Sequence, residues 1–223
     1  MDLPALPLPG VLPYAVRRDV LPPDEHRVLV EWALANEAGF VPSGVGRGSE
    51  VVPDYRNSLT FRGEVAMERR QVLLARIEAL LPGLLPELGL GPFVVSQIEI
   101  NLIVYNHGAY YRAHIDTFTG TPTMQGSKAG PSDRVVSAVY YFHAEPLGFS
   151  GGALRLHPLG RPAGDDAAHV DIEPVQNGLV AFSSWTPHEV LPIDCPSRAF
   201  RDSRFAVNCW FRRARGPGPG SGR

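Results

Sequence analysis

Before Pro92 the apolar residues of the chain recur at helical spacing, and after it they alternate. Val28, Leu29, Trp32 and Ala33 would lie along one side of a helix that Asp24 can cap and Gly39 can stop. A second helix is predicted over residues 65–81, which are rich in Ala, Leu, Glu and Arg and carry Leu73, Ile77, Leu80 and Leu81 along one side. The first 23 residues are rich in Pro and Leu, a composition that favours an extended lead-in held to the body by a few apolar contacts. The run VVSQIEINLIVY then alternates and is loaded with β-branched side chains, the pattern of a half-buried strand.

Further strands are predicted over 110–115, 134–143, 153–157, 169–172, 179–182, 189–192 and 204–212, punctuated by Gly, Pro, Asn and Asp turns. About eight short strands behind two helices point to a sandwich or barrel rather than a parallel α/β sheet, so the expected class is mainly β with flanking helices. Residues 117–132, which include TGTPTMQGSKAGPS, are polar and glycine-rich and read as a mobile loop. The low-complexity end GPGPGSGR reads as disordered. One domain is expected over 1–213, with the lead-in and helices in 1–92, the strand core in 93–213, and a disordered tail over 214–223.

Composition narrows the classes. Hydrophobic residues at 44% and charged residues at 20% supply a sizeable core and exclude wholesale disorder. Twenty-one Lys and Arg against 23 Asp and Glu give a net charge of -2, so neither nucleic acid nor an anionic membrane is an expected partner. Cys195 and Cys209 fall far below the density of a secreted disulfide scaffold, and both are expected as reduced thiols. The opening MDLPALPLPG lacks a basic segment followed by an unbroken apolar run, and the apolar neighbourhood 72–95 is interrupted by Arg76, Glu78, Glu87 and several Pro and Gly. A soluble cytoplasmic protein is the expectation.

His114 and Asp116 flank Ile115 in a predicted strand, and side chains two apart in a strand share a face, so both can reach one point. Two imidazoles and one carboxylate on one face of an octahedron leave positions open for a bidentate co-substrate and oxygen, as in non-haem iron(II) oxygenases. His188, in SSWTPHEVLP, is the candidate for the second imidazole. A His-x-Asp alone is weak, because any single histidine is more often a surface or packed residue; the combination carries the weight. His107, in a turn, and His143, at a strand end, read as structural or surface. His157 and His169 flank the RPAGDD turn, which reads as a solvated loop, with a substrate-facing hairpin as the alternative.

In order along the chain, NLIVYNHGAYYRAHID, DRVVSAVYYFHAEPLGFSGGALRLHP, DIEPVQNGLVAFSSWTPHEVLP and RFAVNCWF resemble the blocks of the prolyl 4-hydroxylase-like 2-oxoglutarate oxygenases. The similarity spans 98–211 and takes in a His-x-Asp, a strand with paired Tyr, a Gly-Gly turn, a His-Glu-Val and an Arg before Trp. Hypoxia-sensing prolyl hydroxylases and bacterial proline hydroxylase-like proteins are the most similar branches. The resemblance implies a double-stranded β-helix, a jelly-roll barrel with iron(II) at its mouth held by His114, Asp116 and His188. It implies that Arg204 grips the distal carboxylate of 2-oxoglutarate, a task suited to the guanidinium fork. Sixteen positions separate His188 from Arg204, more than in the shorter family pattern, and Arg198 falls inside the extension. Arg204 is preferred because Phe205, Val207 and Cys209 continue a strand pattern after it.

Tyr141 matches a residue that donates to the same carboxylate and Tyr105 another that lines the pocket, with a core role as the alternative for each. Asn208, four after Arg204, points to the same side, with a structural role equally open; Trp210 reads as core packing. By the same resemblance the cofactors are Fe(II), 2-oxoglutarate and O2, with ascorbate as a stimulatory reductant. The reaction is oxidative decarboxylation to succinate and CO2 coupled to hydroxylation of a C–H bond. Asp116 favours hydroxylation over halogenation, since related halogenases lack the carboxylate ligand. A prolyl residue in a protein or peptide is the expected substrate; free proline, another amino acid or a secondary metabolite is the alternative. A catalytically silent β-helix that binds a ligand or partner, and a zinc form that hydrolyses, are the competing classes.

Overall fold

The computed structural model describes residues 10–44, 50–63, 67–117, 132–160 and 168–215. The expected loop over 117–132, apart from its two ends, lies outside these residues, as do the RPAGDD turn, the start of the lead-in and the tail from 216. In chain order the elements are β1 (Tyr14–Arg17), α1 (Pro23–Ala35), a short 3-10 turn, β2 (Phe40–Pro42), β3 (Arg56–Asn57), β4 (Leu59–Phe61), α2 (Met67–Glu87), β5 (Val95–Tyr105), β6 (Tyr110–His114) and β7 (Ser132–Phe142). They continue as β8 (Ser150–Gly151), β9 (Leu154–Leu156), β10 (Val170–Ile172), β11 (Gly178–Ser183), β12 (His188–Val190), β13 (Ile193–Asp194) and β14 (Arg204–Ala214).

The strands form a seven-stranded sheet, in the order β1-β11-β7-β14-β5-β4-β2, and a five-stranded sheet, β10-β9-β12-β6-β3, with β8 and β13 as a small pair. Neighbouring strands run antiparallel. This is the double-stranded β-helix that the resemblance implied.

Alternation decides which side chains meet the helices and which enter the barrel. On β14, Phe205, Val207, Cys209 and Phe211 pack with Val136, Ala138, Tyr140 and Phe142 of β7 into the cluster that holds Leu73, Ile77, Leu81, Leu84, Leu85 and Leu88 of α2. The intervening positions face inward: Val139, Tyr141 and Ala206 join Leu154, Leu156, Val180 and Phe182 in a second cluster. Arg204, Asn208 and Trp210 follow that inward period, and with Ser137 of β7 they reach the same inner cavity as His114 and Asp116.

Three local features differ from the sequence expectation. Helix α1 starts with Pro23 in its first turn and has no side-chain cap, and Asp24 lies inside that turn, where its carboxylate complements the positive end of the helix dipole. Helix α2 runs past Leu81 through Pro82 and Pro86 to Glu87. Each proline removes one N–H, but Leu84, Leu85 and Leu88 are buried beyond the first, and that apolar face carries the helix on. The lead-in and the stretch between the helices also contribute strands: β1 pairs with β11, β4 with β5, and β3 with β6. Cys195 and Cys209 are free, as expected, and both are buried.

Candidate metal centre

Strands β6 and β12 are neighbours, and their pairing places His188 directly across from His114. The imidazole Nε2 atoms lie 3.8 Å (His114) and 3.5 Å (His188) from the Asp116 carboxylate oxygens. One ligand atom from each of the three residues lies within 4.8 Å of the others. Each imidazole is oriented from behind. Nδ1 of His114 donates to the carbonyl of Arg112, and Nδ1 of His188 donates to the carbonyl of Thr186, both at 2.8 Å. A proton fixed on Nδ1 leaves the Nε2 lone pairs free and aimed at the shared point, the arrangement that a metal-ligating histidine needs.

Asp116 lies just past the end of β6, and its backbone N–H donates to the carbonyl of Ser184. Its Oδ2 accepts from the Ser137 hydroxyl at 2.7 Å, and Ser137 meets the Ser184 hydroxyl at 2.9 Å. Burial pushes the Asp116 carboxyl up, but His188, His114 and donation from Ser137 and Trp210 outweigh it and hold the carboxyl below its ordinary range. Burial, reinforced by His188, pushes the His114 imidazole far down. A neutral His114 imidazole beside an ionised carboxylate suits the binding of a divalent cation.

The register between β12 and β6 shifts: His188 to Val190 spans two steps while His114 to Tyr111 spans three. In a regular strand Tyr111 and His114 would face opposite ways, yet this bulge puts them on one face, with ring centroids 3.7 Å apart and planes at 25°. Behind Asp116, the Arg134 guanidinium lies 3.8 Å from the Trp210 ring and pairs with Glu99, which also pairs with Arg212.

Arg204 opens β14 opposite Tyr105 and is 1% exposed. Its Cζ lies 4.8 Å from the Tyr105 ring and 4.7 Å from the Tyr141 ring, and its Nε and Nη1 have no hydrogen-bond partner among the described residues. The Tyr141 hydroxyl is buried without a partner too, and burial pushes it up to about 12 despite the pull of Arg204. A buried cation with unused donors is costly, and no acid among the described residues pairs with Arg204, so this pair has donors to offer an anion. Asn208 is half-buried on the same cavity wall, and Trp210, read from sequence as core, lines that cavity together with Asp116. Arg198 sits on an exposed turn with φ of 54° and is outside the cavity.

The remaining histidines stay away from this centre. His107 lies 3.2 Å from Asp194, His143 bonds to the carbonyl of Ala144, and His169 lies 3.8 Å from Asp171. His157, at the end of the predicted strand over 153–157, is buried against Glu189 at 3.0 Å. Sequence reasoning passed over Ser137, Tyr111, Arg134 and Arg56. Ser137 alone had a usable signal: it interrupts an apolar run at an inward-facing position two before Val139.

Among the described residues no helix is long and apolar enough to cross a membrane. The 2OG-Fe(II) oxygenase superfamily profile matches residues 100–212. An uncharacterized PKHD-type hydroxylase of Synechocystis sp. is 34% identical over 209 residues, 92% of this chain; the chain spans 64% of that relative's length. The crystal structure of a Pseudomonas putida prolyl-4-hydroxylase gives a TM-score of 0.61 at 28% identity, covering 91% of this chain and 94% of that one. A Trichoplax adhaerens prolyl hydroxylase, solved with a peptide fragment of hypoxia inducible factor, gives 0.61 at 20% identity over 89% and 82%, a likeness of fold. With the profile matching residues 100–212, from within β5 into β14 and half of the chain, the chain belongs to the 2OG-Fe(II) oxygenase superfamily.

Proposed function

We propose that the protein is an Fe(II)- and 2-oxoglutarate-dependent hydroxylase, in which His114, Asp116 and His188 hold the metal and Arg204, with Tyr141, holds the distal carboxylate of 2-oxoglutarate. The observation that carries this reading is the pairing of a three-residue ligand set, its histidines oriented by backbone carbonyls, with a buried guanidinium whose donors are unused. When bound, iron and 2-oxoglutarate supply the oxidant for a C–H bond, with succinate and CO2 as co-products.

The chain's own residues do the positioning. Ser137 holds the Asp116 carboxylate by donating to Oδ2, and Oδ1 carries no such bond and is left to ligate. Arg204, clamped between Tyr105 and Tyr141, presents its fork in one orientation, and Asn208 adds a polar wall beside it. Because Asp116 occupies the position that a halide would need, hydroxylation is the favoured outcome.

The proposed substrate is a prolyl residue of a protein or peptide, supported by the likeness to the Pseudomonas putida prolyl-4-hydroxylase. A cleft of about 590 Å3 beside His114 and Asp116 has room for such a residue and its neighbours. Anaerobic addition of iron(II) and 2-oxoglutarate should give a weak visible charge-transfer band that His114→Ala and Asp116→Ala abolish. Prolyl peptides should then release succinate and gain one oxygen by mass. No band, and no succinate with any substrate, would leave a silent binding module as the reading.

A further inference from the structure

The cleft outside the metal centre is lined, among the described residues, by four arginines (Arg56, Arg62, Arg134 and Arg212) against three acids, in a chain whose overall charge is -2. The acids are engaged: Glu99 by Arg134 and Arg212, Asp133 by Arg215, and Asp116 in the ligand set. Arg56 has no acidic partner among the described residues, and it is held rather than free. Its Nε donates to the Ser58 hydroxyl at 2.9 Å and its Nη1 to the carbonyl of Gly44 at 3.2 Å, while Ser58 in turn donates to buried Ser43 at 2.9 Å. Its Cζ lies 4.6 Å from the centroid of Tyr111, the ring that stacks on His114. Nη2 remains without a partner among the described residues, and Arg56 lines the cleft beside this stack of guanidinium, phenol and imidazole.

A part-buried guanidinium anchored through two of its nitrogens, with the third unpartnered among the described residues beside a cleft of surplus positive charge, is prepared to receive an anion. It is separate from the Arg204 pocket: Arg56 lies on β3 at the edge of the smaller sheet, while Arg204 lies inside the barrel on the larger one. We infer that Arg56 is a specificity-determining residue that binds a carboxylate of the substrate, so that the carbon to be hydroxylated belongs to a molecule bearing an acid close to the reacting bond. This rests on the hydroxylase reading above. The carboxylate has two sources, the α-carboxylate of a free amino acid or an acidic side chain next to the reacting residue of a peptide.

Matched acid and amide probes separate them. Zinc-loaded protein with 2-oxoglutarate, which binds without turning over, would be titrated calorimetrically with L-proline against L-prolinamide, and with acetyl-Pro-Asp-amide against acetyl-Pro-Asn-amide. At least one acid should bind about tenfold or more tightly than its amide, and the pair that shows the gap names the source. Arg56→Gln should erase the gap and Arg56→Lys keep part of it. The inference is overturned if no acid binds more tightly than its amide, if Arg56→Gln keeps the preference, or if that variant weakens 2-oxoglutarate by the same factor. An iron–2-oxoglutarate band with no acid preference removes this inference alone; absence of the band removes it together with the hydroxylase reading.

Discussion

The hydroxyl of Ser137 decides which way the Asp116 carboxylate faces, because it donates to Oδ2 and is itself held against Ser184. Ser137→Ala should therefore lower metal affinity by about 10- to 100-fold in an anaerobic iron(II) titration, the usual cost of losing a group that orients a ligand, with little change in fold. For the anion pocket, Arg204→Ala should weaken 2-oxoglutarate binding by about 2–3 kcal/mol, roughly 30- to 150-fold by calorimetry, whereas Arg198→Ala, on its exposed turn, should leave it unchanged. Equal losses would mean that the co-substrate sits elsewhere. The convergence of His114 and Asp116 was legible in the sequence because a period of two is a property of any strand. Tyr111 was not, since the same period puts it on the opposite face and only the bulge brings it back. Ser137 was one serine among several, and Arg56 sits in a two-residue strand that no periodicity can announce.

The helices lean on the outer face of the larger sheet, and one contact there is sensitive to protons. His26 of α1 donates from Nδ1 to the Tyr140 hydroxyl at 2.7 Å, and that hydroxyl donates to Asn177, whose side chain also bonds both backbone groups of Leu21. His26 Nε2 is buried without a partner among the described residues, so a proton added there would find no acceptor among them. Burial first, then the nearby His143, depress this imidazole, against an opposing pull from Glu145. A histidine with a depressed folded-state pKa contributes stability that is complete above its ordinary value of 6.5 and is lost as pH falls below it. The melting temperature should fall between pH 7 and pH 5, and fall less in His26→Gln. Helix α2 offers a second test: Leu84 is fully buried beyond Pro82, so Leu84→Ala should cost about 2–5 kcal/mol in chemical denaturation. The long strands β5, β7 and β14 could be read from alternation, whereas β1 to β4 have four residues or fewer, too short to separate from loop.

Across the molecule, the anion pocket draws Arg204 and Asn208 from the larger sheet and the ligand set draws His114 and His188 from the smaller one, so a bound metal and co-substrate would tie the two sheets together. Ligands that bind only the folded state stabilise it by mass action. Saturating metal with 2-oxoglutarate at about a hundred times its dissociation constant should add about 2.7 kcal/mol, a rise of roughly 5–10 °C in melting temperature that a chelator reverses. Metal added to His188→Ala should give a much smaller rise. The cross-strand pairing of His114 with His188 has a further consequence, for the lengths of the segments around it. Deleting one residue within β6 or β12 would turn one imidazole out of the barrel and silence the centre, while deleting two would preserve its face. Connections at the barrel mouth carry no such parity, so substrate range is free to diversify there by insertion, while the strands must keep count.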